Sequence, residues 1–176
     1  MRLLLAILAV IGIVALHITL ATTLPWPFSA LNITVIALAY LLLTRHATLA
    51  IATAFCMGIV MELYAVTPFG VLVTSLVVAL TLGSIIASYL ITTISPLGMI
   101  AVTFTMAVTY RICFLVLIGI IALSGKQVAI STGQALEMIA TEGLTTTALM
   151  ALIVGGGTVL RRKTRARLST RSFRSL

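Results

Sequence analysis

Charge is what this chain has least of. Only 8% of its 176 residues are charged, against about 25% in ordinary soluble domains, and 61% are hydrophobic. A surface so poor in charge excludes an ordinary soluble domain and leaves lipid as the main solvent. Acidic residues number three, Glu62, Glu137 and Glu142. There is no paired carboxylate, no Cys/His cluster, no phosphate-binding glycine loop and no nucleophile, base and orienter set, so the sequence argues against an enzyme and offers no metal or cofactor site. The two cysteines, Cys56 and Cys113, fall inside apolar runs, where thiols are expected to act as small buried hydrophobes rather than as a disulfide framework. The net charge of +8 resembles a nucleic-acid signal, but seven of the eleven basic residues lie between Arg161 and Arg174. The apolar body is close to neutral, and no nucleic-acid partner is expected.

What is present is a series of long apolar runs. A bilayer core about 30 Å thick takes roughly 20 helical residues at about 1.5 Å each. Six runs fit: Leu3–Leu24, Leu31–Leu43, Ala47–Val66, Val71–Ile94, Leu97–Leu123 and Gly143–Leu160. Backbone groups in lipid must be bonded internally, and strong two-residue alternation is absent, so all six read as helices. The fold class expected is therefore all-α, a polytopic membrane bundle over residues 1–160 with a basic cytoplasmic tail over 161–176. Pro25-Trp26-Pro27, Thr44-Arg45-His46, Thr67-Pro68 and Ser95-Pro96 punctuate it, and connections this short join antiparallel neighbours. The one longer connection, 124–142, reads as an interfacial helix broken at Gly133.

Orientation follows from the excess of Lys and Arg on the cytoplasmic side. With the tail inside, six spans put Arg2 and the Arg45-His46 turn inside and leave Lys126 outside, so both termini are expected in the cytoplasm. Trp26 then falls at the outer interface, where an amphipathic indole is favoured. A cleaved signal peptide is the competing reading of the first run; its apolar stretch is long, and no clear small-x-small cleavage site follows it.

Few polar residues interrupt the spans. Glu62, near the outer end of the third, either faces the bundle interior or reaches the headgroups past the break at Pro68. Arg111 sits near the middle of the fifth and cannot shed its charge, so something must solvate it. Glu62 is the candidate partner, with the two α-carbons differing in depth by roughly 8 Å at about 1.5 Å per residue; the alternatives are a wet cavity or a partner protein. His17 reads as a neutral imidazole bonded to backbone or hydroxyl. Gly83-x-x-x-Ala87 marks a helix-packing face. Gly155-Gly156-Gly157 either packs similarly or loosens the last helix. Arg161, Arg162, Lys163, Arg165 and Arg167 suit anionic lipid headgroups, at about 1 kcal/mol for each residue close to the surface.

The block Gly58-Ile-Val-Met-Glu62-Leu-Tyr-Ala-Val-Thr-Pro68-Phe-Gly70 resembles the central signature of the rod shape-determining protein MreD family, in which a glycine and an acid close one helix and a Pro-x-Gly turn opens the next. The resemblance spans about 29–121, with its specific motif confined to this block. It implies a scaffold of the bacterial cell-elongation machinery in the inner membrane, binding an MreC-like bitopic protein and supporting peptidoglycan synthesis, with Gly58, Glu62, Pro68 and Gly70 as the motif residues. Arg111 does not map onto that pattern. A second resemblance, in size and six-helix layout, is to the substrate-binding S component of energy-coupling-factor vitamin transporters. The Ala-x-x-x-Ala face usual in the first helix of that family is absent, since Ala6, Ala9 and Ala15 have the wrong spacing.

Overall fold

A computed structural model describes residues 2–44, 47–65, 67–90, 96–123 and 131–172, with side chains over 8–44, 48–65, 67–89, 96–123 and 131–157. The Arg45-His46 turn, Ser95 and Lys126 lie outside the described residues. So do the side chains of Arg161, Arg162, Lys163, Arg165 and Arg167, although the helix backbone runs through them.

Among the described residues the chain is all helical. It forms α1 (Arg2–Thr23), a 3-10 turn (Phe28–Ala30), α2 (Ile33–Leu43), α3 (Ala47–Tyr64), α4 (Val71–Leu90), α5 (Pro96–Leu123) and α6 (Thr132–Ser172). Pro96 occupies the first helical position of α5, where its missing N–H and fixed φ cost nothing. Three segments are long and apolar enough to cross a membrane, Val71–Tyr89, Pro96–Leu123 and Thr132–Gly157, whereas Leu8–Thr23, Ile33–Leu43 and Thr48–Tyr64 are shorter apolar helices. The expected count of six spans is thus met by three on length and composition.

Two departures have local causes. The first is the length of α2, whose 11 residues reach only about 16 Å. After α1 the chain turns back through the 3-10 turn, and Asn32, itself buried, caps α2 by accepting from the Val35 N–H at 3.2 Å. The helix therefore starts inside the bundle. The second concerns α6, which begins at Thr132 and passes through Gly133 without a break. Ser131 and Gln134 form a reciprocal capping box: the Gln134 N–H donates to Ser131 Oγ at 3.3 Å and the Ser131 N–H to Gln134 Oε1 at 3.2 Å. That start carries 132–142 into the same helix as the last span, in place of a broken interfacial helix.

The core gathers Val35, Leu38 and Ala39 of α2, Ala54 and Met57 of α3, Leu76 and Ala79 of α4, and Met106 and Ala107 of α5. Small residues let the backbones close in. A Cβ on Gly83 would stand 2.5 Å from Cγ of Met106, so this glycine is a contact between α4 and α5, as the spacing suggests. The outer faces remain apolar: Leu16, Ile59, Leu63, Phe69, Tyr89, Leu97, Ile120 and Leu152 are all exposed, an arrangement that lipid favours and water does not. Trp26 is 64% exposed at the α1 end of the re-entrant segment. Cys56 also faces outward, and Cys113 is half-buried; both are free, so neither is the fully buried thiol expected.

Candidate functional site

The charged residues of the bundle converge at two places, both near the ends where α2 and α4 begin. The first is the α3–α4 hairpin. The Glu62 carboxylate, 6% exposed, accepts through Oε1 from the Leu72 N–H at 2.9 Å and the Val73 N–H at 3.1 Å. These are donors of the first turn of α4, which have no partner inside their own helix. A carboxylate one turn from the end of α3 thus caps the next helix and complements the positive end of its dipole. Oε2 of Glu62 and Oγ1 of Thr67 are buried without a protein partner.

The other motif residues build the geometry that brings Glu62 there. Pro68 lies in the turn, its carbonyl accepting from the Val71 N–H at 3.5 Å, and Gly70 has φ +99°, a conformation costly for any residue with a Cβ. Gly58 sits one turn before Glu62 on the same face of α3. A Cβ at Gly58 would stand 2.8 Å from the Val73 α-carbon, too close for any real contact. Replacing Gly58 with Ala is therefore expected to push α3 off α4 at a cost of about 2–3 kcal/mol, the upper part of the overpacking range because the obstacle is backbone. Denaturation in mixed micelles measures this, and a Gly58→Ala variant as stable as wild type contradicts the close approach.

The second place joins the re-entrant segment, α5 and α6. Glu142, 1% exposed in its side chain, accepts from Asn32 Nδ2 at 2.7 Å through Oε1, and its Oε2 is ion-paired with Arg111 Nε. One turn further along α6, Thr146 Oγ1 accepts the Asn32 backbone N–H at 3.0 Å. The non-helical backbone before α2 is thereby satisfied by α6, as it must be at membrane depth. Arg111 lies with its guanidinium 5.5 Å from the Phe114 ring centroid, a cation–π contact, and buried Tyr110 stacks on Phe114 at 6.5 Å. His17 lies against the Leu31 backbone, with Nδ1 buried and without a protein partner.

The partner of Arg111 is thus Glu142, not Glu62. Placing 132–142 in a connection removed Glu142 from the groups available inside the bundle. Two signals pointed to it: the Ser131-x-x-Gln134 capping pattern, which starts a helix eleven residues before the apolar run, and the i, i+4 spacing that puts Glu142 and Thr146 on one face. Asn32 immediately before an apolar run is likewise an N-cap pattern.

Below the Asn32 bridge, α2 and α6 diverge around a cleft of about 490 Å³. Its walls are apolar and include Ile36 and Tyr40 from α2, Met99 from α5, and Met150, Ile153 and Gly157 from α6. No carboxylate or cation lines it. A Cβ at Gly155, Gly156 or Gly157 would meet nothing within 4 Å, so the glycine triplet is not a close-packing site in the bundle, and the helix continues through it.

The arrangement is mechanical in character. Glu62 ties α3 to α4, and Glu142 ties α6 to both α5 and the start of α2. Comparison with family models, curated proteins and solved structures returns no match. The geometry and the sequence pattern are therefore what a functional reading has to rest on.

Proposed function

We propose that this chain is a non-catalytic membrane scaffold of the bacterial cell-elongation machinery, a subunit like those of the MreD family that binds an MreC-like bitopic protein and supports peptidoglycan synthesis. In this reading the chain crosses the plasma membrane six times. The three shorter helices complete their crossings with flanking residues such as the re-entrant 25–32 segment, and both termini lie in the cytoplasm. The basic run from Arg161 rests on anionic headgroups there.

The observation that carries the proposal is the use made of the charged side chains. Glu62, Arg111 and Glu142 are each directed at another helix of the same chain, while the larger cleft is apolar. Such a protein offers partners a shaped, rigid surface rather than a reacting group. The resemblance adds the identity of the partner. Gly58, Glu62, Pro68 and Gly70 fall in one hairpin, each with a separate task in its geometry, which is what a motif kept for shape needs.

Purification of the tagged protein from its native membrane in mild detergent, with mass spectrometry of stoichiometric partners, tests the reading. Recovery of an MreC-like protein with wall-synthesis enzymes is the expected result. Recovery of paired ATPases with a transmembrane coupling subunit would overturn it in favour of a transporter S component, and recovery of no stoichiometric partner would overturn the scaffold role itself.

A further inference from the structure

The cleft between α2 and α6 demands an occupant once the chain is in a bilayer. Its lining residues are Ile33, Ile36 and Tyr40 on one wall, Ile153 and Gly157 on the other, with Pro96 and Met99 of α5 at the back. A water molecule needs two to four polar partners, and these walls do not supply them. Left empty, the lining side chains forfeit dispersion contacts along their whole length. The occupant is therefore hydrocarbon, and its dimensions narrow the choice. The cleft extends over Ile33–Tyr40 and Met150–Gly157, about 10 Å along each helix axis at 1.5 Å per residue. A helix segment of that length, at least about 10 Å across with its side chains, displaces roughly 800 Å³. The cleft holds about 490 Å³, which is small for a second helix.

Charge then selects among lipids. The cleft is closed at the top by the Asn32–Glu142–Thr146 bridge, since Ile33 follows Asn32 and Met150 lies one turn below Thr146. It runs toward the other end of α6, where the helix continues unbroken to Ser172. Arg161 follows Gly157 by four residues, one turn or about 6 Å along the axis, and Arg162 and Lys163 come next. A basic cluster one turn beyond the mouth of an apolar cleft matches the phosphate-to-chain layout of a lipid.

We propose that the α2–α6 cleft is a binding site for one anionic phospholipid, its acyl chains against Ile36, Ile153 and Gly157 and its headgroup at the basic run that begins with Arg161. The glycine triplet acquires a role in this site: Gly157 keeps the α6 wall free of side chains where the chains enter. The proposal rests on the chain being a membrane protein and not on the scaffold reading.

Full-length protein in nanodiscs of equal phosphatidylglycerol and phosphatidylcholine, released and weighed by native mass spectrometry, tests it. Both leaflets have one composition, so the result is independent of orientation and of any protein partner. Wild type is expected to retain one phosphatidylglycerol per chain in preference to phosphatidylcholine. Gly157→Leu fills the cleft without meeting a neighbour and is expected to lower that retention about tenfold while the protein stays folded. Neutralising Arg161, Arg162 and Lys163 to Gln is expected to reduce the preference for phosphatidylglycerol by about fivefold or more, leaving chain binding in place. Equal retention of the two lipids by wild type, or retention by Gly157→Leu at the wild-type level, would overturn the site. So would a photoreactive group at Ile153 that captures protein instead of lipid in native membranes.

Discussion

Changing Glu142 to Gln is expected to cost about 3 kcal/mol of stability, the largest loss of any single polar substitution in the bundle. The substitution is nearly isosteric and keeps an oxygen for the Asn32 amide, so the loss comes from Arg111 alone. The arginine side chain is 22% exposed and permanently charged, and without the carboxylate its charge has no counterpart inside the protein. Removing the arginine instead, as Arg111→Met, is expected to cost less, about 1–2 kcal/mol, because a carboxyl group left alone can neutralise itself by binding a proton. The double variant Arg111→Met with Glu142→Gln is expected to lose less than the sum of the singles. Denaturation in mixed micelles measures the cycle, with a coupling of at least about 1 kcal/mol as the expected sign of direct contact. The same cycle between Arg111 and Glu62 is expected to be additive. A coupling there and none with Glu142 would show that α6 is placed wrongly against α5.

The second large effect belongs to Glu62. Alanine at this position leaves the Leu72 and Val73 N–H groups without an acceptor at the start of α4, in a setting where lipid offers none. Loss of a helix cap together with an unsatisfied buried donor amounts to about 2 kcal/mol. Glutamine retains an acceptor oxygen, so Glu62→Gln is expected to stay within about 1 kcal/mol of wild type. The pair of variants separates two mechanisms: an ion pair is destroyed by both substitutions, a cap only by alanine. Equal losses for both variants would mean that the charge of Glu62, rather than its oxygen, holds the hairpin.

The helices were largely legible from the chain because hydropathy at this density leaves few alternatives. Apolar runs bounded by Pro25-Trp26-Pro27, Thr67-Pro68 and Pro96 became helices ending within a few residues of those marks. The motif residues were legible too, as a group, since a glycine, an acid and a Pro-x-Gly turn in one short stretch demand a tight hairpin. What each of them does was not. Glu62 reaches backbone N–H groups ten and eleven residues away, and no pattern of side-chain types announces a backbone partner. The error over Arg111 had a different origin. Counting hydropathy assigned 132–142 to a connection because of Thr132, Gly133, Thr141 and Glu142, whereas tertiary bonding to Asn32 and Arg111 makes those polar residues acceptable within a helix. Polar groups inside a membrane bundle are priced by their partners, and partners from distant parts of the chain are not written locally. The cleft between α2 and α6 was equally invisible, since it arises from a helix that starts late and a neighbour that diverges from it.

The account holds that the buried charges are joinery and that function resides in the surface the joined helices present. The double variant Arg111→Met with Glu142→Gln tests this most directly, because it removes the charges and restores their mutual compensation. Purified from native membranes beside wild type, it is expected to bring down the same stoichiometric partner in the same amount. A variant that remains folded yet loses that partner would contradict the account and make the Arg111–Glu142 pair part of the binding machinery itself.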